Sequence, residues 1–211
     1  MATTEKFGWY AVKLAVVMLI IFVLQNIFAD FFDPFVLDSS KVLQQPWSLV
    51  TYIFLHGSAN HIMSNLFSLV LFGFILEKIV GSKNFLLAFL SAGIAAGVAS
   101  IFFYPSVIGA SGAIFGIMGV LAVIRPKMVV LAFGMPIPML AAVVLWAILD
   151  LGGVFYPSSV ANIGHIGGLL AGIAVGFWLR PKYKVVDAKK EKIKLDEKYF
   201  REWEERYMKK R

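Results

Sequence analysis

The chain has 211 residues, 59% hydrophobic and only 16% charged, with 19 phenylalanines, a mean hydropathy of +0.78 and a formal net charge of +7. A water-soluble domain runs near a quarter charged and cannot bury this much apolar side chain, so an ordinary cytosolic enzyme is excluded and a small integral membrane protein remains. Without cysteine there is no disulfide framework, no thiolate nucleophile and no Cys-ligated metal, and three scattered histidines are too few for most His-based zinc sites.

Crossing a hydrocarbon core of about 30 Å takes about 20 apolar residues. Runs of that kind predict spans at 9–29, 59–79, 84–104, 128–149 and 161–179, with a shorter one at 111–124. The expected fold is therefore an all-α integral membrane protein, a compact bundle of six transmembrane helices, one of them the short central helix that carries Ser111. The first run is read as a span and not a cleaved signal peptide, because its apolar core is too long and no small-x-small site follows. The stretch 30–47, with aromatic and polar residues and two prolines, suits a structured loop in the interface. Residues 1–8 are expected as an N-terminal extension, 9–179 as the six-span core and 180–211 as a basic tail.

That tail holds 13 of the 20 Lys+Arg and 7 of the 13 Asp+Glu, so the basicity belongs to it and not to the core. Basic flanks are common on membrane spans, so no nucleic-acid partner is inferred. Ile193, Phe200, Trp203 and Tyr207 fall at roughly helical spacing, as in an amphipathic helix lying on a leaflet; a solvated extension fits equally. Lys78 and Lys83 near 77–84, Arg125 and Lys127 near 125–127, and the tail lie on one side. Asp30, Asp33, Asp38 and Asp150 lie on the other with a single Lys41. By the positive-inside bias both termini are cytoplasmic. The lack of a eukaryotic targeting signal fits a prokaryotic plasma membrane.

Polar groups inside a membrane are costly and are functional candidates by default. His61, Ser64, Asn65 and Ser68 share one helix face, Ser111 opens the 111–124 helix and His165 lies about four residues into the last span. All three helices begin on the outer side, which brings a hydroxyl, two imidazoles and a carboxamide to one depth. Gly164, Gly168, Gly172 and Gly176 line one face of the last span, and Gly112, Gly116 and Gly119 one face of the 111–124 helix. Small faces of this kind let helices approach closely, and packing them sets Ser111 beside His165. Fourteen residues make only about 21 Å of helix, so YPSVIGA (104–110) is expected to dip inward and leave room for water above Ser111. The helix start also offers unpaired amide N–H groups to an oxyanion.

These residues resemble the rhomboid intramembrane serine proteases. GASGAIFG around Ser111 is similar to their GxSG signature, FLHGSANHIMSN (54–65) to their second span, and ANIGHIGGLLAG (161–172) to their last. PWSLVTYIF (46–54) and ILEKIVGS (75–82) resemble the flanks of that second span, and the likeness covers about 45 to 180. It implies Ser111 as nucleophile and His165 as general base, with His61, Asn65 and amides at Ser111 stabilising the oxyanion. It implies supporting roles for Gly109, Gly112, Phe115 and Asn162, Phe115 packing against the imidazole, and a structural role for His56. No acid is needed in the family's dyad; Asp150 is the only nearby candidate for a third member and is read instead as an interfacial loop carboxylate. The Trp-Arg pair that many bacterial members carry in the first outer loop is absent between 30 and 47.

The resemblance implies substrates that are single-span membrane proteins, cut near the outer face, with small residues at the cleaved bond and Gly or Pro to unwind the span. No metal or organic cofactor is implied. GMPIPM (134–139) is read as a weak point inside the fifth span, either a hinge for substrate admission or an inert kink. A non-catalytic rhomboid-like protein that binds membrane clients is the alternative function. Such relatives usually lack the Ser or the His, both of which this chain has. A small transporter would show repeat halves with matching broken spans, which are not visible.

Overall fold

A computed structural model describes residues 7–132, 134–155, 160–183 and 197–208. Helix α1 (Tyr10–Ile27) is followed by a loop with two short helical turns and a two-residue strand β1 (Leu37–Asp38). Two further turns, Ser48–Thr51 and Tyr52–Phe54, lead to the 42-residue helix α2 (Ala59–Ser100). Strand β2 (Ser106–Val107), α3 (Ser111–Ile124), a hairpin of β3 (Val129–Ala132) and β4 (Met135–Pro138), α4 (Met139–Val154), α5 (Asn162–Leu179) and α6 (Glu197–Tyr207) complete the described chain. Three of these helices, α1, α2 and α5, are long and apolar enough to cross a membrane; α3 and α4 are shorter and apolar.

Small residues set the architecture. The central helix α3 buries all but three of its residues. A Cβ on Gly168 would run into the carbonyl of Gly112, and one on Gly172 into that of Gly116. On another flank, a Cβ on Gly112 or Gly116 would strike the methyls of Ala96 or Ala92 of α2. The ladders of α3 and α5 pack on one another as the sequence predicts, and the alanines of α2 bring a third backbone to the same seam. The outward surface is aliphatic and aromatic, with Ile20, Val23, Phe67, Leu145, Ile148, Leu170 and Phe177 all exposed, as a helix wall against lipid requires.

At its far end α1 is locked by a carboxylate. Trp9, in the left-handed region (φ 61°), turns neighbouring amides toward Glu77 of α2. Its two oxygens accept from the N–H groups of Tyr10 (2.9 Å), Ala11 (3.0 Å) and Gly8 (3.3 Å) and from the hydroxyl of Ser82. A fully buried acid at a helix N-terminus is thereby satisfied by donors and favoured by the helix dipole.

The long loop is structured as expected. β1 pairs antiparallel with β2 (Leu37 with Val107, Asp38 with Ser106), Trp47 Nε1 donates to the Pro34 carbonyl (2.9 Å), and Thr51 Oγ1 donates to that of Phe35 (2.9 Å). The tail helix α6 also forms, although Ile193 lies outside the described residues, as do residues 1–6 of the N-terminal extension.

Two expectations are corrected. The loop anticipated near 77–84 shrinks to one residue: Gly81, at φ 79° and ψ 162°, breaks α2 between the arms 59–80 and 82–100 in a conformation open chiefly to glycine. The span anticipated at 128–149 is a hairpin followed by a helix shifted toward the C-terminus. Pro136 and Pro138 have no amide to donate and would clash with a preceding helical turn, so they sit in β4, while Gly134 (φ 76°) makes the turn. GMPIPM is therefore a strand and its turn, not a kink inside a helix. Helix α4 begins at Met139 and runs five residues beyond the anticipated end, taking Asp150 out of the loop and into the helix.

Candidate active site

Helix α3 starts at Ser111 behind Ala110, which provides no side-chain cap. The amides of that first turn have no carbonyl behind them, and no side chain of the capping residue competes for them. The approach to the turn is held by Gly109, whose amide donates to the Tyr52 carbonyl (2.9 Å). Gly109 has φ 120°, and a Cβ there would lie 2.6 Å from His61 Nε2, so glycine is required on both counts. The absence of a side chain at Gly109 lets the His61 ring lie against the loop that leads to Ser111.

His165, in the first turn of α5, directs Nε2 at Ser111 Oγ across 2.8 Å. Its ring lies flat on Phe115, centroids 4.4 Å apart and planes 11° from parallel. Phe115 follows Ser111 by one turn of α3, so a single helix supplies both the hydroxyl and the surface that the imidazole rests on. The start of α5 is fixed by Tyr104, whose hydroxyl accepts the Ile163 amide (3.1 Å). Asn162 is buried against Gly153 of α4, where an added Cβ would meet its carboxamide at 2.7 Å.

Ser58 caps α2 by accepting the His61 amide (3.2 Å), which orients the first turn carrying His61. Asn65 is buried one turn on, and its Nδ2 donates to the His61 carbonyl (2.8 Å). His56 is also buried and packs edge-on against the His61 ring at 5.0 Å. Burial, with His61 beside it, pushes its pKa down to about 4, so it is neutral near pH 7. Its ring nitrogens have no hydrogen-bond partner among the described residues.

His61, Asn65, Ser111, Phe115 and His165 line one cavity of about 940 Å³, whereas Gly109, Gly112, His56 and Asn162 stand behind its wall. One part of its wall is polar, with Asn60, His61, Ser64, Asn65, Ser68, Ser111 and His165; the other is apolar, with Phe72, Met118 and Trp146. The non-helical 104–108 stretch lines part of the cavity. A water-accessible serine paired with an imidazole inside an apolar bundle is equipped for acyl transfer. Among the described residues no three His, Asp or Glu side chains gather as a metal site.

Asp150 departs from the loop position expected of it. Asp150 is a helical residue, buried, and its Oδ1 lies 2.9 Å from His165 Nδ1. It is the partner of the imidazole edge opposite Ser111, not an interfacial loop carboxylate. The two prolines carried the missed signal: starting the helix after Pro138 puts Asp150 in its last turns, near the start of α5.

A rhomboid domain model matches residues 43–182, about two thirds of the chain and the whole of this site. The chain belongs to the rhomboid family. It is 41% identical over 131 residues to the rhomboid protease GluP of Bacillus subtilis, covering 60% of this chain and 24% of that protein. It is 30% identical over 182 residues to the rhomboid protease GlpG of Serratia proteamaculans (82% and 64%), and 32% identical over 158 residues to RHOMBOID-like protein 6, mitochondrial, of Arabidopsis thaliana (68% and 47%). The chain thus spans between a quarter and two thirds of the length of these relatives. As a rhomboid it is an integral membrane protein.

Proposed function

We propose that this rhomboid is an intramembrane serine endopeptidase working through Ser111 and His165. The observation that carries the reading is the 2.8 Å approach of His165 Nε2 to Ser111 Oγ at a polar cavity inside an apolar bundle. His165 takes the hydroxyl proton as Ser111 Oγ attacks the substrate carbonyl, and returns it to the leaving amine as the acyl-enzyme forms. Water from the cavity then attacks the ester, giving its proton to His165, and Ser111 is released with the proton restored. The first-turn amides of α3, with His61 and Asn65, are the donors for the oxyanion.

The six apolar helical segments 10–27, 59–80, 82–100, 111–124, 139–154 and 162–179 are read as the spans of a core over 9–179, with 1–8 and 180–211 as extensions. Both termini lie on the cytoplasmic side of a plasma membrane and the site opens near the outer face. Substrates are single-span membrane proteins whose span unwinds locally, because a helical peptide bond is shielded by its own hydrogen bonding. Helix-destabilising residues near the cleaved bond therefore favour cleavage.

The test is cleavage of a single-span reporter in liposomes by the wild type, Ser111→Ala and His165→Ala. Cleavage by the wild type alone, with both variants folded, supports the reading. Equal cleavage by all three, or none by any across several reporters, overturns it; the second outcome favours a client-binding rhomboid.

A further inference from the structure

We infer that Asp150 is the positioning residue of the imidazole, completing a Ser111–His165–Asp150 triad in this chain; the inference rests on the protease reading above. Helix α4 turns its aliphatic side chains outward: Leu145, Ile148, Leu149, Leu151 and Val154 are all exposed. Beyond Val143 its one buried residue is the aspartate. Aliphatic side chains turned to lipid are what a membrane helix requires, but a carboxylate buried inside the bundle is costly and marks a functional group by default.

The task is set by geometry. Oδ1 accepts from His165 Nδ1 at 2.9 Å, which holds the ring proton on Nδ1 and leaves the Nε2 lone pair facing Ser111 Oγ at 2.8 Å. In the other tautomer Nε2 carries the proton and cannot accept one from the serine. Phe115 fixes the plane of the ring from below, and Asp150 fixes its rotation within that plane from the edge. When Ser111 gives its proton to Nε2, the ring becomes an imidazolium and the carboxylate stabilises it; the Nδ1 proton stays on the ring and Asp150 stays ionised. Oδ2 is buried without a hydrogen-bond partner among the described residues. A carboxylate kept for stability would be expected to have both oxygens engaged.

The experiment compares the wild type with Asp150→Asn and Asp150→Glu in liposomes, measuring kcat and KM on the reporter and melting temperature. Asparagine keeps the shape but offers no charge, and its amide can donate to Nδ1 and impose the wrong tautomer. We expect kcat to fall on the order of 10²–10⁴-fold, KM to stay within about twofold, and Glu to restore part of kcat. The second readout needs no turnover: in Ser111→Ala protein, a downfield His165 Nδ1 proton resonance present with Asp150 and lost with Asn. The inference is overturned if Asp150→Asn keeps kcat within about threefold of wild type, or if the resonance is unaffected. If the resonance behaves as expected but no reporter is cut, the protease reading fails while the positioning of His165 stands.

Discussion

Among the described residues two carboxylates, Glu77 and Asp150, are buried, and they are treated in opposite ways. Glu77 receives four donors, three of them amides at the start of α1, and touches no other ionisable side chain among its hydrogen-bond partners. Asp150 receives one, from the imidazole that faces Ser111, and its second oxygen has none among the described residues. A saturated acid holds two elements together; a half-satisfied one is retained at a cost in stability. The number and kind of partners, more than burial itself, separates the structural carboxylate from the one serving chemistry.

The largest effect that sharpens the contrast comes from replacing each acid by leucine. Glu77→Leu strands the amides it caps and is expected to cost about 3–5 kcal/mol, seen as a large loss of melting temperature. Asp150→Leu leaves a single imidazole N–H without its acceptor and is expected to cost about 1–3 kcal/mol, less than the loss at Glu77, while reporter cleavage is lost. An equal loss of stability in both would break the comparison.

An intermediate effect is expected on the oxyanion side. His61→Ala or Asn65→Ala removes a donor and lowers kcat on the order of 10²-fold, with little change in KM. A rise in KM alone would assign these groups to substrate binding.

The smallest effect concerns His56. Its folded pKa of about 4 lies below the ordinary value of 6.5, so the neutral ring stabilises the fold fully above pH 6.5, and that stability drains away as pH falls toward 4. The melting temperature is expected to drop by a few degrees between pH 7 and 5, and His56→Gln to flatten that slope. An unchanged slope would mean that other groups set the acid response.

The sequence made much of the site legible. Ser111–Ile124 is bounded as read, because a serine after small residues starts the helix and Arg125 ends the apolar run. The glycine ladders gave the contact between α3 and α5, and the family resemblance, more than spacing, carried the expectation that Phe115 packs on the imidazole. What escaped was decided by backbone chemistry that hydropathy does not register. A hairpin of Val129–Ala132 and Met135–Pro138 is as apolar as a helix would be, and only its glycine and prolines distinguish it. Misplacing that boundary moved Asp150 from the helix to a loop. A single glycine turning α2 at Gly81 was likewise invisible to a search for polar loops.

The most direct test of the central claim is chemical, and needs no substrate. The wild-type protein in liposomes would be treated with a fluorophosphonate and the adduct mapped by mass spectrometry. A serine activated by a neighbouring base reacts with such a probe; the other serines of the chain do not. One adduct is expected, on Ser111, and it is expected to be lost in His165→Ala protein that remains folded. Labelling of a different serine, or none at Ser111, would contradict it.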